Sequence, residues 1–223
     1  MDNKNIILLH HHLGLGDHLI CNGLVRFINE QIKPDILYLP TKKNNIFTVK
    51  KMYDDESKIV PLEVNNDQDV YSLPEIKQCN KIISIGFHKT RDDWDVSFYE
   101  TNGIPFDIRW KYFKINRNVK RENTIKNKLG LKNEPFILIH NEGSDCKFNL
   151  KIDNNIKKIF VTPLTDCLLD WCGLIEEAQE VHCIDSSFIH LAQSLNVKSG
   201  IFHNIRKANG IFKLKNSWKL ILY

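Results

Sequence analysis

The sequence is poor in the features that mark an unusual architecture. Only 10 glycines and 7 prolines are spread over 223 residues, which excludes collagen-like and low-complexity chains. Nowhere do about 20 apolar residues follow one another, so no segment reads as a membrane-spanning helix. A signal-peptide pattern is missing too: Asp2 and Lys4 run straight into a short apolar segment, and the cytoplasm is the expected compartment. The six cysteines, Cys21, Cys79, Cys146, Cys167, Cys172 and Cys183, form no C-x-x-C pair and no dense cluster. A disulfide framework is therefore excluded and reduced thiols are expected. There is no long block of one charge, because the net charge is +4 and the lysines are scattered among Asn and Ile. Nucleic acid is not an expected partner, whereas a nucleotide or sugar phosphate needs only a few local positive groups and helix ends. A complete G-x-G-x-x-G followed by an acidic residue is also absent, against a nicotinamide-binding reductase.

What is present is the balance of an ordered protein, with 42% hydrophobic and 26% charged residues. The apolar runs from Asn5 to His10, Asp35 to Pro40, Lys58 to Val64 and Lys81 to Phe87 predict strands. Between them Leu19 to Gln31 carries Ile20, Leu24, Phe27 and Ile28 on one helical face, and Asn44 and Asn45 open a helix through Tyr53. The stretch from Asn116 to Lys132 is polar and lacks an apolar period, so a boundary is expected there. The alternation then restarts. Strands are expected over Pro135 to His140, Lys158 to Val161 and Val181 to Ile184, with helices over Asp166 to Ala178 and Ser187 to Leu195. This alternation predicts parallel-sheet α/β units, divided as 1–118 and 119–223.

Ligands of open α/β sheets sit beyond the carboxyl ends of strands, and three loops there carry chemistry. The first, His12 to His18, holds Gly14, Gly16 and Asp17 between a strand and a helix. Its glycines allow close backbone approach, and Asp17 reads either as a carboxylate facing a ligand or as a helix cap. The second, Asn141 to Lys147, offers Ser144 and Lys147 to a diphosphate or is a plain polar loop. The third, Cys183 to Ala192, sets Ser186, Ser187 and His190 at a helix N-terminus, where an anion is favoured, though a Ser-capped helix with a solvated histidine has the same pattern. Neighbouring residues on a strand face opposite ways, so His10, His11 and His12 cannot all bind one metal ion. Asp93-Trp94-Asp95 forms a D-x-D triplet but follows no convincing strand, and it is read as surface.

Gly14-Leu15-Gly16-Asp17-His18-Leu19-Ile20 and Asp185-Ser186-Ser187-Phe188-Ile189-His190-Leu191-Ala192 resemble the two motifs of the heptosyltransferase-like glycosyltransferases, the family 9-like group. The first looks like that group's Gly-Asp turn, and the second like its Asp-Thr-Gly-x-x-His-Leu segment. The resemblance implies a GT-B fold of two Rossmann-like lobes with a cleft between them: an acceptor lobe over 1–118 and a donor lobe over 119–223. It implies an inverting, metal-independent glycosyltransferase without a cofactor, moving a sugar from a nucleotide-sugar donor to a glycan or lipid-linked glycan acceptor. Asp17 would be the catalytic base. Gly16, Ser144, Lys147, Leu164, Asp185, Ser186, Ser187 and His190 would bind the donor, with the Thr162-Pro163-Leu164 backbone meeting the nucleotide base. Ser187 replaces the group's usual Gly and Glu142-Gly143-Ser144 its hydroxyl-rich stretch, which leaves the donor open, and the short chain implies trimmed lobes. Two other readings share the donor site: a nucleotide-sugar epimerase or hydrolase, and a binding relative without catalysis.

Overall fold

The run Ile6–His10 is buried along its whole length, and such a strand needs neighbours on both edges and cover on both faces. The computed structural model describes residues 4–88, 92–152, 155–206 and 212–223. The described residues up to Asn116, with Phe212 and Lys213, form one compact unit, and the remainder from Arg117 onward form another.

In the first unit the elements are β1 (Ile6–His10), α1 (Leu15–Ile20), α2 (Asn22–Ile32), β2 (Ile36–Lys42), α3 (Ile46–Met52), β3 (Ile59–Val64), β4 (Lys81–Ser84), α4 (Trp94–Glu100) and α5 (Ile108–Lys111). Its sheet has the order β3-β2-β1-β4, and every pairing is parallel. The chain passes from β1 to one side, then returns to place β4 on the other. That reversal makes the carboxyl ends of β1 and β4 the place where the crossovers part and leave room for a ligand. His10 pairs with Ser84 in this register.

The second unit contains α6 (Val119–Lys128), β5 (Phe136–His140), β6 (Lys157–Phe160), α7 (Cys172–Glu177), β7 (Glu180–Ile184), α8 (Ser187–Ser194), β8 (Gly200–Asn204) and β9 (Trp218–Leu222). Its parallel sheet runs β6-β5-β7-β8-β9. The reversal here lies between β5 and β7, where His140 is level with Cys183.

The expected strands and the helices at 46–52 and 187–194 fall close to the positions read from the sequence, while several segments differ for identifiable reasons. The expected helix over 19–31 is two helices that meet at Cys21. Gly23 is the second residue of α2, and a Cβ there would lie 2.6 Å from the Ile108 carbonyl oxygen, so only glycine lets α2 approach the backbone of α5. Strand β4 stops at Ser84 rather than Phe87 because Gly86 has φ +83° and a Cβ on it would strike the Phe98 ring. The expected helix over 166–178 begins as a 3-10 turn, Leu168–Trp171, and only Cys172–Glu177 is α-helical.

The polar stretch expected to mark a boundary carries α6. Ion pairs and not an apolar stripe hold it: Arg117 grips Glu122 and Glu176, and Arg121 grips Asp166 and Asp170, while Asn118 accepts the Arg121 amide at 3.1 Å. Hydrophobic periodicity cannot register a helix fastened this way.

Within the D-x-D triplet, expected at the surface, Asp95 is instead a core residue, while Asp93 and Trp94 are half-buried. Asp95 and Arg109 are both fully buried and ion-paired. The Asp95 carboxylate further accepts the amides of Val96 at 3.0 Å and Lys213 at 3.1 Å. Arg109 lies 4.2 Å over the Trp110 ring, while its Nε and Nη2 are buried with no hydrogen-bond partner. Two charges taken out of water are tolerable only together. Asp95→Ala should therefore lower stability by about 3–5 kcal/mol in urea unfolding, and combining it with Arg109→Met should recover much of that loss. A loss within experimental error for the single variant would show the pair to be dispensable.

Candidate active site

At the carboxyl end of β1 the chain turns through Leu13 and Gly14 into α1. Gly14 is extended (φ −66°, ψ 145°) and caps the helix without a side chain. A Cβ on it would lie 2.5 Å from Asp17 Oδ2, so the absence of a side chain at position 14 is what lets the Asp17 carboxyl fold back over the turn. Burial pushes the Asp17 carboxyl up to about 6, against the lowering pull of His12 and of the Gly14 and Asp17 amides. A carboxylate near 6 is ionised at neutral pH and basic enough to take a proton. Gly16, expected to meet the donor, occupies the first turn of α1 beside Asp17.

The three histidines take different positions. His11 is buried, its Nδ1 lies 2.6 Å from the His12 carbonyl oxygen, and burial lowers its pKa to about 4. His18 is buried edge-on against His11 at 4.5 Å, with no partner on either ring nitrogen, and is held neutral. His12 is half-buried, meets the Gly86 carbonyl oxygen through Nε2 at 3.0 Å and packs against Phe87 at 4.6 Å. It thus lies between Asp17, on whose charge it acts, and the open end of β4. The sequence puts His12 at the start of the 12–18 loop but gives it no role, because its partners at 86 and 87 are remote in the chain. Among the described residues no group of three or more His, Cys, Asp or Glu side chains converges as metal ligands.

In the second unit the carboxyl ends of β5 and β7 bring some expected residues together. Ser186, extended at the start of α8, places Oγ 3.2 Å from His140 Nδ1. His140 stacks on Phe188 at 4.7 Å, and burial lowers its pKa to about 4. Ser187 is the first residue of α8, and Asp185 is partly buried, which raises its carboxyl. The cation that gathers this region is Arg206, just beyond β8. It pairs with Asp145, donates to Cys146 Sγ at 3.3 Å, acts on Asp185, and lies where a Cβ on Gly143 would be 2.9 Å from Nη2. Arg206 escaped the sequence reading because β8 was not recognised, and only β8 brings residue 206 back to the loop at 143–146.

The other expected donor residues are placed less directly. Lys147 is exposed and pairs with Glu142 at 3.0 Å, and Ser144 is exposed on the same loop. His190 is buried, at 3% exposure, rather than solvated. The Leu164 amide donates to the Thr162 carbonyl oxygen at 2.7 Å and its carbonyl oxygen accepts Lys128 Nζ at 3.2 Å.

The sequence matches no family model and no curated protein. Solved structures do match along its length. A glycosyl transferase family 9 protein from Veillonella parvula is 10% identical, with a TM-score of 0.65 over 100% of this chain and 88% of that one. The E. coli ADP-heptose lipopolysaccharide heptosyltransferase II is 10% identical, with a TM-score of 0.56 over 97% of this chain and 90% of that one. The E. coli heptosyltransferase WaaC, solved with ADP, is 8% identical, with a TM-score of 0.52 over 98% of this chain and 90% of that one. The group that the motifs at 14–20 and 185–192 resemble is thus also the group whose solved structures share this fold, with its two parallel sheets, from one end of the chain to the other.

Proposed function

We propose that this chain is a glycosyltransferase that moves a sugar from a nucleotide-sugar donor to a hydroxyl of a glycan acceptor. The observation that carries this reading is the Gly14–Asp17 turn, a carboxyl held near 6 at the reversal point of a sheet in a chain with the glycosyltransferase fold. Asp17 takes the acceptor proton as the acceptor oxygen bonds to the anomeric carbon. The bond to the departing diphosphate breaks in the same step, with its electrons leaving on phosphate oxygen. A single displacement of this kind inverts the anomeric configuration.

The acceptor role is assigned to the first unit and the donor role to the second. Donor phosphates would meet the N-terminus of α8 with Ser186 and Ser187, and Arg206 with Lys147 as a second cation once it leaves Glu142. Asp185, His190, Ser144 and the Leu164 backbone remain assigned to the donor on the motif resemblance. Fixed cations and helix amides stabilise the leaving group, a role that a divalent ion fills elsewhere. The D-x-D triplet is unsuited to a cation because Asp95 is spent on Arg109.

Activity should accordingly survive EDTA; abolition by EDTA with recovery in manganese would overturn the metal-independent mechanism. Arg206→Ala should weaken nucleotide-sugar binding by tenfold or more in calorimetry, as expected for a lost charge-assisted contact. Lys147→Ala should have a smaller effect, and the reverse order would shift the phosphate site to Lys147.

Asp17→Asn should leave donor binding near normal and slow transfer by roughly 10²–10⁴-fold, the usual contribution of a general base. Wild-type turnover should decline as pH falls through about 6, where the carboxyl protonates. Stability behaves oppositely. Because the folded protein raises this pKa, the neutral acid stabilises the fold at low pH, and the advantage is lost as pH rises from about 4 to about 6. Asn cannot ionise, so the variant should lose this slope and gain stability at neutral pH, on the order of 3 kcal/mol. Full turnover together with an unchanged melting profile would reduce Asp17 to a structural residue of the first turn of α1.

A further inference from the structure

At the carboxyl ends of β1 and β4, where His10 pairs with Ser84, the first unit has a cavity of about 430 Å³ lined by His10, Asp67, Gln68, Tyr71, Ser84, Phe87 and His88. Ligand pockets commonly measure roughly 300–1,000 Å³ and are aromatic with a few placed polar groups. Tyr71 and Phe87 are 52% and 39% exposed, so each offers ring surface to a ligand. Both touch the buried His10 ring, at 5.4 and 4.8 Å between centroids. His10 is therefore the floor and the two rings are walls.

The hydrogen bonds fix this arrangement. Burial lowers the His10 pKa, so the ring is neutral and carries one proton. Asp67 Oδ1 lies 3.1 Å from Nε2, and a carboxylate can only accept, so the proton is on Nε2. Nδ1 is then left to accept the Tyr71 hydroxyl at 3.0 Å. The chain Tyr71–His10–Asp67 holds a ring wall and a carboxylate in place, and Asp67 keeps 44% of its side chain exposed to accept from a ligand hydroxyl.

We propose that this cavity is the acceptor subsite and that it takes an uncharged sugar ring. Its axial C–H face would lie on Phe87 and Tyr71, and neighbouring hydroxyls would donate to Asp67. The flat aromatic surface suits the C–H edge of a pyranose, whose positive hydrogens meet the negative ring face. Asp67, which lines the cavity, would repel a carboxylate or phosphate on the ligand. The inference rests on the reading of Asp17 as the base. The cavity is related to that carboxyl through its lining residue Asp67, whose charge acts on Asp17, and through His12, which packs on Phe87 and also acts on Asp17.

Saturation-transfer NMR on the full chain, without donor, tests it. The probes are the methyl glycosides of glucose, galactose and mannose, set against methyl glucuronide and glucose 6-phosphate at equal millimolar concentration. At least one neutral glycoside should receive saturation and the two anions little. Phe87→Ala and Asp67→Asn, at half-exposed positions, should each weaken that binding about tenfold at an unchanged melting temperature. Preference for an anion, no binding of any neutral glycoside, or wild-type binding in both cavity variants would overturn the proposal, and the wild-type comparison decides even if a variant fails to fold. If neutral sugars bind as expected while Asp17→Asn keeps full transfer activity, the subsite stands and the catalytic assignment falls.

Discussion

Strand β1 is buried on both faces and paired in parallel on both edges, and the features of the first unit descend from that constraint. A parallel neighbour cannot be reached by a hairpin, so each connection must cross over the sheet, through α1 and α2, through α3, and between β3 and β4 through two 3-10 turns. Because β2 lies on one side and β4 on the other, the connections part beyond His10 and leave the strand ends uncovered. Everything chemically interesting in this unit lies there: the turn carrying Asp17, the His12 and Phe87 contact, and the cavity over His10. The same reversal between β5 and β7 brings Ser186 to His140.

Charge is handled in contrasting ways. At Asp95 and Arg109 two opposite charges are sealed together, which holds α4, α5 and the Lys213 amide in place but removes both groups from chemistry. At Asp17 a carboxyl is partly removed from water with no cationic side chain bonded to it, and the result is a raised pKa. The difference is between a charge neutralised by a partner and one opposed by its surroundings, and only the second stays available for proton transfer. Arg206 falls between, since it is paired with Asp145 yet keeps part of its surface exposed at a loop of polar residues.

Buried imidazoles recur: His10, His11, His18, His140 and His203 all have lowered pKa values because burial opposes their charge. Neutral rings act as directional hydrogen-bonding groups, and here they orient Tyr71 and meet Ser186. The triplet at residues 10–12 therefore resolves into a hydrogen-bond relay, a core residue and a site residue. Alternation along a strand anticipates that neighbours diverge, but β1 ends at His10, so the partners of each ring follow from the loops that fold over it.

The sequence by itself determined the elements whose signal is local. Runs such as Ile6–His10 and Phe136–His140 announce strands, Gly14 to Asp17 announces a strand-to-helix turn, and Asp185 to Ala192 announces a helix after a strand. Apolar periodicity and turn chemistry are written over a few residues, and both survive without tertiary context. What only the tertiary structure decided concerns partners far apart in the chain. Helix α6 depends on ion pairs from Arg117 to Glu176 and from Arg121 to Asp170. Asp95 is a core residue because Arg109 closes over it, and Arg206 reaches the loop at 143–146 only because β8 lies beside β7. Asp67 and Tyr71 occupy a polar stretch without a motif, and they become the wall of a cavity when β1 and the segment after β3 bring them to His10. A polar group's role depends on what is opposite it, and parallel crossovers set that opposite partner tens of residues away.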